Sequence, residues 1–209
     1  VVLLGSSVET GKDALVQTPN GATILVAGSA VSISARGLEG INFEVQAPTD
    51  AAVNLGTLKG DAVGIFAGTL KHSGAIQATR ASLEGGKVVL KASGDAVVEG
   101  SGRVDSTSTK GQGGHIEVLG HRVAVTDKAV LDTSGATGGG TVLVGGDYQG
   151  KNVAVPNAQM TYLGPNAELR ADATDQGHGG KVIVWADNAA RAYGHISATG
   201  GAKGGNGGF

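Results

Sequence analysis

The chain has 209 residues, a formal net charge of −2 and 38 glycines, and it contains no cysteine. This composition excludes a disulfide framework and a cysteine-ligated metal site, and it provides no basic block of the kind that binds nucleic acid. No apolar run reaches the roughly 18 residues of a membrane-spanning helix, so we expect no membrane insertion. Because runs of Val, Ile and Leu separate regularly spaced glycines, a folded repeat is favoured over disorder.

A pair of glycines followed by a short apolar strand recurs along the chain. The clear copies are residues 85–91, 113–118, 139–144 and 179–186, weaker copies occupy residues 21–27 and 61–67, and a last one begins at Gly207. Their spacing is 25 to 28 residues, except for two intervals of 40 residues. A period in the mid-twenties that persists along the chain predicts a solenoid, which is one continuous array of stacked coils.

Each period contains two further strand-like phrases. One is centred on an apolar residue between polar or small ones, at Ile76, Val104, Leu131, Leu169 and Ile196. The other is looser and includes residues 96–99 and 122–125. Three short strands per period predict an all-β fold, a right-handed parallel β-helix of roughly eight coils, with residues 1–209 forming a single segment.

Alternation within the first strand of each period identifies the predicted core. Side chains at alternate places should point inward and stack from coil to coil. These inward residues are Val88, Leu90, Ile116, Val118, Val142, Val144, Val182 and Val184.

The places between these core residues should face outward, yet many of them are apolar. They hold Ile24, Val26, Phe66, Val89, Leu119, Leu143, Ile183 and Trp185. Such a row indicates a face that is covered. The two longer intervals provide insertions, residues 37–50 with Phe43 and residues 147–160 with Tyr148. We expect at least one insertion to pack across this face; the alternative is that the face binds a neighbouring chain or domain.

Catalytic and metal-binding patterns are weak. No phosphate-binding loop or nucleophile motif occurs, and we expect the five histidines to be exposed turn residues. A polysaccharide-cleaving enzyme would need carboxylates stacked on one face. The candidates Asp105, Asp132, Asp172, Asp175 and Asp187 are interpreted as solvated turn residues. We therefore expect no enzyme activity, no metal and no cofactor.

A ligand site, if one exists, should lie late in the chain, where exposed rings could stack on sugars. The candidates are Asp147, Tyr148, Gln149, Tyr162, Trp185 and Tyr193. For Trp185, padding of the covered face is the favoured interpretation.

Several long segments resemble filamentous-haemagglutinin-like exoproteins. They are residues 138–151, residues 169–175 with 179–187, and residues 193–198 with 204–209. The resemblance is strongest over residues 85–209. Residues 1–5 and 18–21 are similar, more loosely, to the distal end of the secretion domain of that family. The resemblance implies that residues 1–60 end a secretion domain and that residues 61–209 are regular coils of a shaft, with an insertion near residues 147–160. Because the usual Asn-Pro-Asn-Gly motif is absent, it also implies that this fragment does not direct secretion by itself.

The resemblance further implies two-partner secretion through an outer-membrane β-barrel transporter, and a location outside or on the surface of a Gram-negative bacterium. The implied role is a structural and adhesive shaft in cell attachment or biofilm formation. Two alternatives remain open: an adhesin module that binds surface glycans, and a filament subunit that joins copies of itself end to end. A polysaccharide-cleaving enzyme is the least favoured alternative.

Overall fold

A computed structural model of the chain describes residues 1–28, 30–33, 41–44, 50–80 and 85–209, with only the backbone described for 30–33 and 41–44. Within these residues, the regular structure consists of β-strands and one 3-10 turn, Tyr148–Gly150. No helix among them is long and apolar enough to cross a membrane.

The strands form three parallel stacks, and the chain visits the stacks in turn. Two long strands, β3 (Leu15–Ala27) and β7 (Thr57–Ala67), bend so that each contributes its first half to the third stack and its second half to the first. The first stack also contains β1 (Val2–Gly5), β10 (Lys87–Ala92), β13 (His115–Leu119), β16 (Thr141–Val144) and β19 (Lys181–Val184).

The second stack is a separate sheet of seven strands. Its members are β2 (Ser7–Thr10), β6 (Ala51–Asn54), β8 (Thr69–His72), β11 (Asp95–Val98), β14 (Arg122–Val125), β17 (Met160–Leu163) and β20 (Ala189–Ala192).

The third stack follows the first halves of β3 and β7. Its other members are β9 (Ala75–Ala78), β12 (Arg103–Asp105), β15 (Val130–Asp132), β18 (Glu168–Arg170) and β21 (His195–Ser197). One strand from each stack, taken in chain order, makes one coil. The predicted all-β class with stacked parallel strands is thereby confirmed, and the arrangement is consistent with a parallel β-helix.

A short hairpin interrupts the second coil. Strands β4 (Ala30–Ile33) and β5 (Ile41–Glu44) pair antiparallel, with Val31 opposite Phe43. The prediction that residues 37–50 pack across the outer face lies largely outside the described residues.

The core is a set of continuous columns between the stacks. Inward residues of the first stack pair in register from coil to coil, for example Val63 with Val88 and Val88 with Ile116. Val88, Leu90, Ile116, Val118, Val142 and Val144 are fully buried. Val182 and Val184, in the last complete coil, are partly buried and pack against the same core. Parallel stacking in register explains this pattern, because each inward side chain is covered by the equivalent side chain of the next coil.

The apolar outer face of the first stack is also buried. The second insertion packs across it through Val155, which joins Leu119, Leu143 and Ile183 in one cluster with Trp185 at its edge. The expectation that at least one insertion covers this face is therefore confirmed.

The inward side of the second stack contains one column of polar side chains. Because this column includes His72, the expectation that all five histidines are exposed is wrong. Thr10, Asn54 and His72 occupy one inward position in three successive coils. His72 is fully buried. Its Nδ1 accepts a hydrogen bond from Asn54 Nδ2 at 3.0 Å, and its Nε2 donates to the carbonyl oxygen of Arg103 at 3.4 Å. The Thr10 hydroxyl donates to Asn54 Oδ1. The imidazole is buried because its polar atoms are bonded within the column.

Burial makes the stability of the fold depend on the protonation of His72. Because the charged form cannot be hydrated there, the pKa of His72 is lowered to about 4. The ordinary value is about 6.5, so the unfolded chain binds more protons between these limits. We expect the free energy of unfolding to fall by about 3 kcal/mol as the pH is lowered from about 6.5 to 4.

Urea unfolding of the wild type and of His72→Gln across this pH range measures the effect. The glutamine side chain can still bond to Asn54 but does not titrate. The free energy of unfolding of His72→Gln should therefore lack the fall of about 3 kcal/mol that His72 causes between about pH 6.5 and 4. Equal pH dependence in the two proteins would contradict the assignment.

Candidate functional site

The second insertion is held at its start by Asp147, whose carboxylate is the centre of a polar cluster at the end of β16. Asp147 Oδ1 accepts hydrogen bonds from the backbone N–H of Tyr148, at 2.7 Å, and from Lys181 Nζ. Its Oδ2 accepts one from Asn152 Nδ2 at 2.9 Å. Hydrogen bonds from Asn152 and Lys181 lower the pKa of Asp147 to about 2. The carboxylate is therefore ionised at neutral pH and ties the insertion to the next coil through Lys181.

The middle of the insertion turns back over Trp185. Gln149 and Gly150 adopt left-handed backbone conformations with φ values of 56° and 62°. This turn lets Asn157 Nδ2 donate to the Gly150 carbonyl oxygen at 3.1 Å. The Trp185 indole packs at the edge of the Val155 cluster, and its Nε1 donates to Asp187 Oδ1 at 3.0 Å. This placement agrees with the padding role favoured for Trp185.

The tip of the insertion is the exposed part of this cluster. Tyr148 is 51% exposed, and its ring lies 5.1 Å from that of Phe209 in an edge-on arrangement. Gln149 beside it is also exposed. Asp147, Tyr148, Gln149 and Trp185 are therefore brought to one region by the insertion and the last complete coil.

The remaining two candidates belong to a different surface. Tyr162 lies on β17, on the outer face of the second stack, and Tyr193 directly follows β20. Their rings are 5.8 Å apart and tilted by 54°. The six predicted ligand residues thus form two groups, and a role in ligand binding stays a prediction for both.

The candidate carboxylates of the third stack serve mainly as turn residues. Asp105 aligns with Gln77 and Asp132, and Asp132 aligns with Arg170, as the repeat predicts. The expectation that these carboxylates are solvated is wrong for Asp132, which is only 6% exposed.

Hydrogen bonds and one ion pair account for this burial. Asp132 accepts a hydrogen bond from the Ser134 backbone N–H at 2.9 Å and lies 3.5 Å from the Arg103 guanidinium. Asp105 likewise accepts from the backbone N–H and hydroxyl of Thr107.

Asp172 instead accepts hydrogen bonds from the following coil, from the Ser197 hydroxyl and from the backbone N–H and hydroxyl of Thr199. Burial raises the pKa of Asp172, but hydrogen bonds from Ser197 and Thr199 outweigh it, and the pKa ends below its ordinary value. Among the described residues, no three histidines or carboxylates form a group that could hold a metal ion.

Two features of the surface are not contained in the sequence prediction. The first is the Lys181 bridge to Asp147, which joins residues 34 positions apart. The second is an open groove on the outer face of the second stack, which contains Tyr162 and Arg191. The bridge and the groove are both formed by residues of neighbouring coils that are far apart in sequence. Only an exact alignment of the repeats, coil by coil, could have predicted them.

The described geometry defines a class of protein: an extended all-β domain of stacked parallel strands, with one outer face covered by an insertion. A solved structure of this class is similar to the chain, namely the crystal structure of the HMW1 secretion domain from Haemophilus influenzae. The likeness has a TM-score of 0.84 and 27% sequence identity, and it covers 99% of this chain and 55% of that one. No protein-family model and no curated protein sequence matches the chain.

Proposed function

We propose that this chain is part of the secretion domain of a two-partner-secretion exoprotein and that an outer-membrane transporter recognises it during export. The observation that carries the proposal is the likeness to the HMW1 secretion domain, which extends over 99% of the chain. Because this likeness includes sequence as well as fold, it supports more than a shared architecture.

The length of the match to the solved secretion domain bears on whether residues 61–209 belong to a secretion domain or to a shaft. The sequence resemblance assigns residues 1–60 to a secretion domain and residues 61–209 to a shaft. The solved secretion domain instead matches the coils after residue 60 as well. We therefore infer that these coils also belong to the secretion domain. The chain spans about half of the length of that solved chain.

We infer that the stacked strands wind as a right-handed β-helix, because connections between parallel strands of one sheet are right-handed in nearly all proteins. Counting one strand from each stack per coil, we infer seven coils among the described residues. The carbonyl oxygen of Phe209 accepts a hydrogen bond from the Val182 backbone N–H, next to the last of these coils. A rod of this kind, exported to the surface of a Gram-negative bacterium, would hold adhesive regions away from the cell.

We also infer an architectural role without catalysis. The best candidates for acid–base chemistry, Asp105, Asp132 and Asp172, are occupied by hydrogen bonds to turn residues of their own or the neighbouring coil. Carboxylates used in this way stabilise corners of the fold. This pattern supports the non-enzymatic interpretation over polysaccharide cleavage.

Export of the exoprotein that contains this chain tests the proposal. We expect in-frame removal of residues 1–209 to abolish its appearance in the medium or on the cell surface. Removal of an equally long segment from elsewhere in the same exoprotein, as the matched control, should leave export intact. Export that continues without residues 1–209 would overturn the proposal.

A further inference from the structure

The outer face of the second stack carries an open groove of about 220 Å³. Two columns of outward residues form it. Asp95, Arg122, Met160 and Ala189 follow one another in the first column, and Val97, Ala124, Tyr162 and Arg191 in the second. The small side chains of Ala124 and Ala189 lie beside much larger ones, and this difference in size produces the depression.

The walls of the groove are apolar and exposed. Met160 is 51% exposed and Tyr162 is 37% exposed, and Tyr193 beside Tyr162 is 62% exposed. The first stack differs, because the insertion buries its outer apolar cluster. Exposed aromatic and thioether side chains around one depression favour a binding surface over an ordinary solvated face.

The two arginines of the groove differ in their partners. Arg122 forms two hydrogen bonds to the Asp95 carboxylate, both 2.7 Å long, so its charge is balanced within the sheet. Arg191 is exposed, and none of the described carboxylates forms an ion pair with it. The groove therefore has one unbalanced positive charge, at the Tyr162 end, where the register places Arg191 beside Tyr162.

A planar guanidinium next to an exposed ring is suited to a ligand with both a carboxylate and an apolar ring face. The volume lies below the usual range for drug-sized ligands, roughly 300–1,000 Å³, so the groove suits a single ring. We propose that this groove binds one carboxylate-bearing pyranose residue of an acidic glycan. The carboxylate bonds to Arg191, and the apolar face of the sugar ring lies on Tyr162 and Met160.

This proposal is independent of the secretion role, because it needs only the purified chain. The test titrates the 209-residue chain with D-glucuronic acid and, separately, with its methyl ester, which has the same ring without the charge. Binding is followed by calorimetry or by ligand-observed NMR. We expect the acid to bind at least about tenfold more tightly than the ester, as loss of a charge-assisted hydrogen bond predicts.

Two variants separate the site from a general charge effect. Arg191→Gln should weaken binding of the acid about tenfold and leave the affinity for the ester unchanged. Lys151→Gln removes an exposed positive charge from the second insertion and should have no effect. Both side chains are exposed, so circular dichroism should show both variants folded.

Four outcomes would overturn the proposal. Three of them are no saturable binding of the acid, equal affinity for the acid and the ester, and equal loss of affinity in Arg191→Gln and Lys151→Gln. A fourth is self-association through the same surface. Sedimentation would reveal a dimer of the wild type that Tyr162→Ser dissociates, and the groove would then be an interface between copies.

Discussion

Deleting residues 87–114, one complete coil, should leave a folded protein, whereas deleting residues 87–100 should not. The longer deletion joins Gly86 to His115, and His115 already aligns with Lys87 in the parallel ladder. After the deletion, Ile116 takes the place of Val88 above Val63, and Val123 takes the place of Ala96 above Leu70. The later coils move along the stack by about 4.8 Å, the spacing of neighbouring strands.

The shorter deletion removes β10 and β11 but keeps β12, the third-stack strand of the same coil. The chain after Gly86 would then have to reach the third stack without the first-stack and second-stack strands of this coil. The inward side chains and the hydrogen-bond ladders of the later coils could therefore not align with those of the earlier coils. In an array of stacked repeats, each coil is stabilised by its immediate neighbours, and loss of alignment at one coil interrupts the array.

Circular dichroism, limited proteolysis and urea titration distinguish the two deletions. The variant lacking residues 87–114 should retain a cooperative transition and a strand-type spectrum. The variant lacking residues 87–100 should be degraded rapidly at low protease concentrations. If both variants behaved alike, the coil would not be the unit in which this chain folds.

The second large effect is expected from Gly113→Ala, at a corner between the third and first stacks. A Cβ at residue 113 would lie 1.7 Å from the Thr133 carbonyl oxygen of the next coil. That oxygen accepts the hydrogen bond of the Gly140 backbone N–H at 2.8 Å. The added methyl group must therefore displace backbone on which the neighbouring coil depends. We expect the free energy of unfolding to fall by about 3 kcal/mol or more.

Gly11→Ala is the matched control within the same chain. A Cβ at residue 11 would meet no atom within 4 Å, so this substitution should change the free energy of unfolding by less than about 1 kcal/mol. Urea titration of both variants provides the comparison. A similar loss in both would show that the steric contact at residue 113 is not the cause.

The sequence predicted those parts of the fold that repeat. Val88 and Val142 could be placed in the core because each belongs to a strict alternation that recurs at equivalent positions. The covered outer face was predictable for the same reason, since Leu119 and Leu143 break the expected alternation at equivalent places. The insertion that supplies Val155 was visible as extra length between two repeats.

The polar residues were less predictable, because their type does not reveal their position in the coil. His72 follows Lys71 and precedes Ser73 and Gly74, and residues of these types are common in turns. The alternation that begins with Leu70 nevertheless directs its side chain inward. Asp132 is buried because of Arg103, which lies in the preceding coil. The groove around Arg191 depends on neighbours in two adjacent strands. Handedness is not contained in the periodicity at all.

The buried column of Thr10, Asn54 and His72 has a consequence for how the array assembles. Most coils present similar apolar side chains to their neighbours. During folding, a coil could therefore pack on a coil that is not its neighbour in sequence without a large loss of contacts. The buried polar column makes such a mismatch costly in the first three coils. The next residue in the same position is Val98, which cannot bond to an amide. If Asn54 met Val98 instead of His72, its Nδ2 would be buried without an acceptor, at a cost of about 1–3 kcal/mol. The column therefore distinguishes the first three coils from one another and favours the one stacking order in which its polar groups are all bonded.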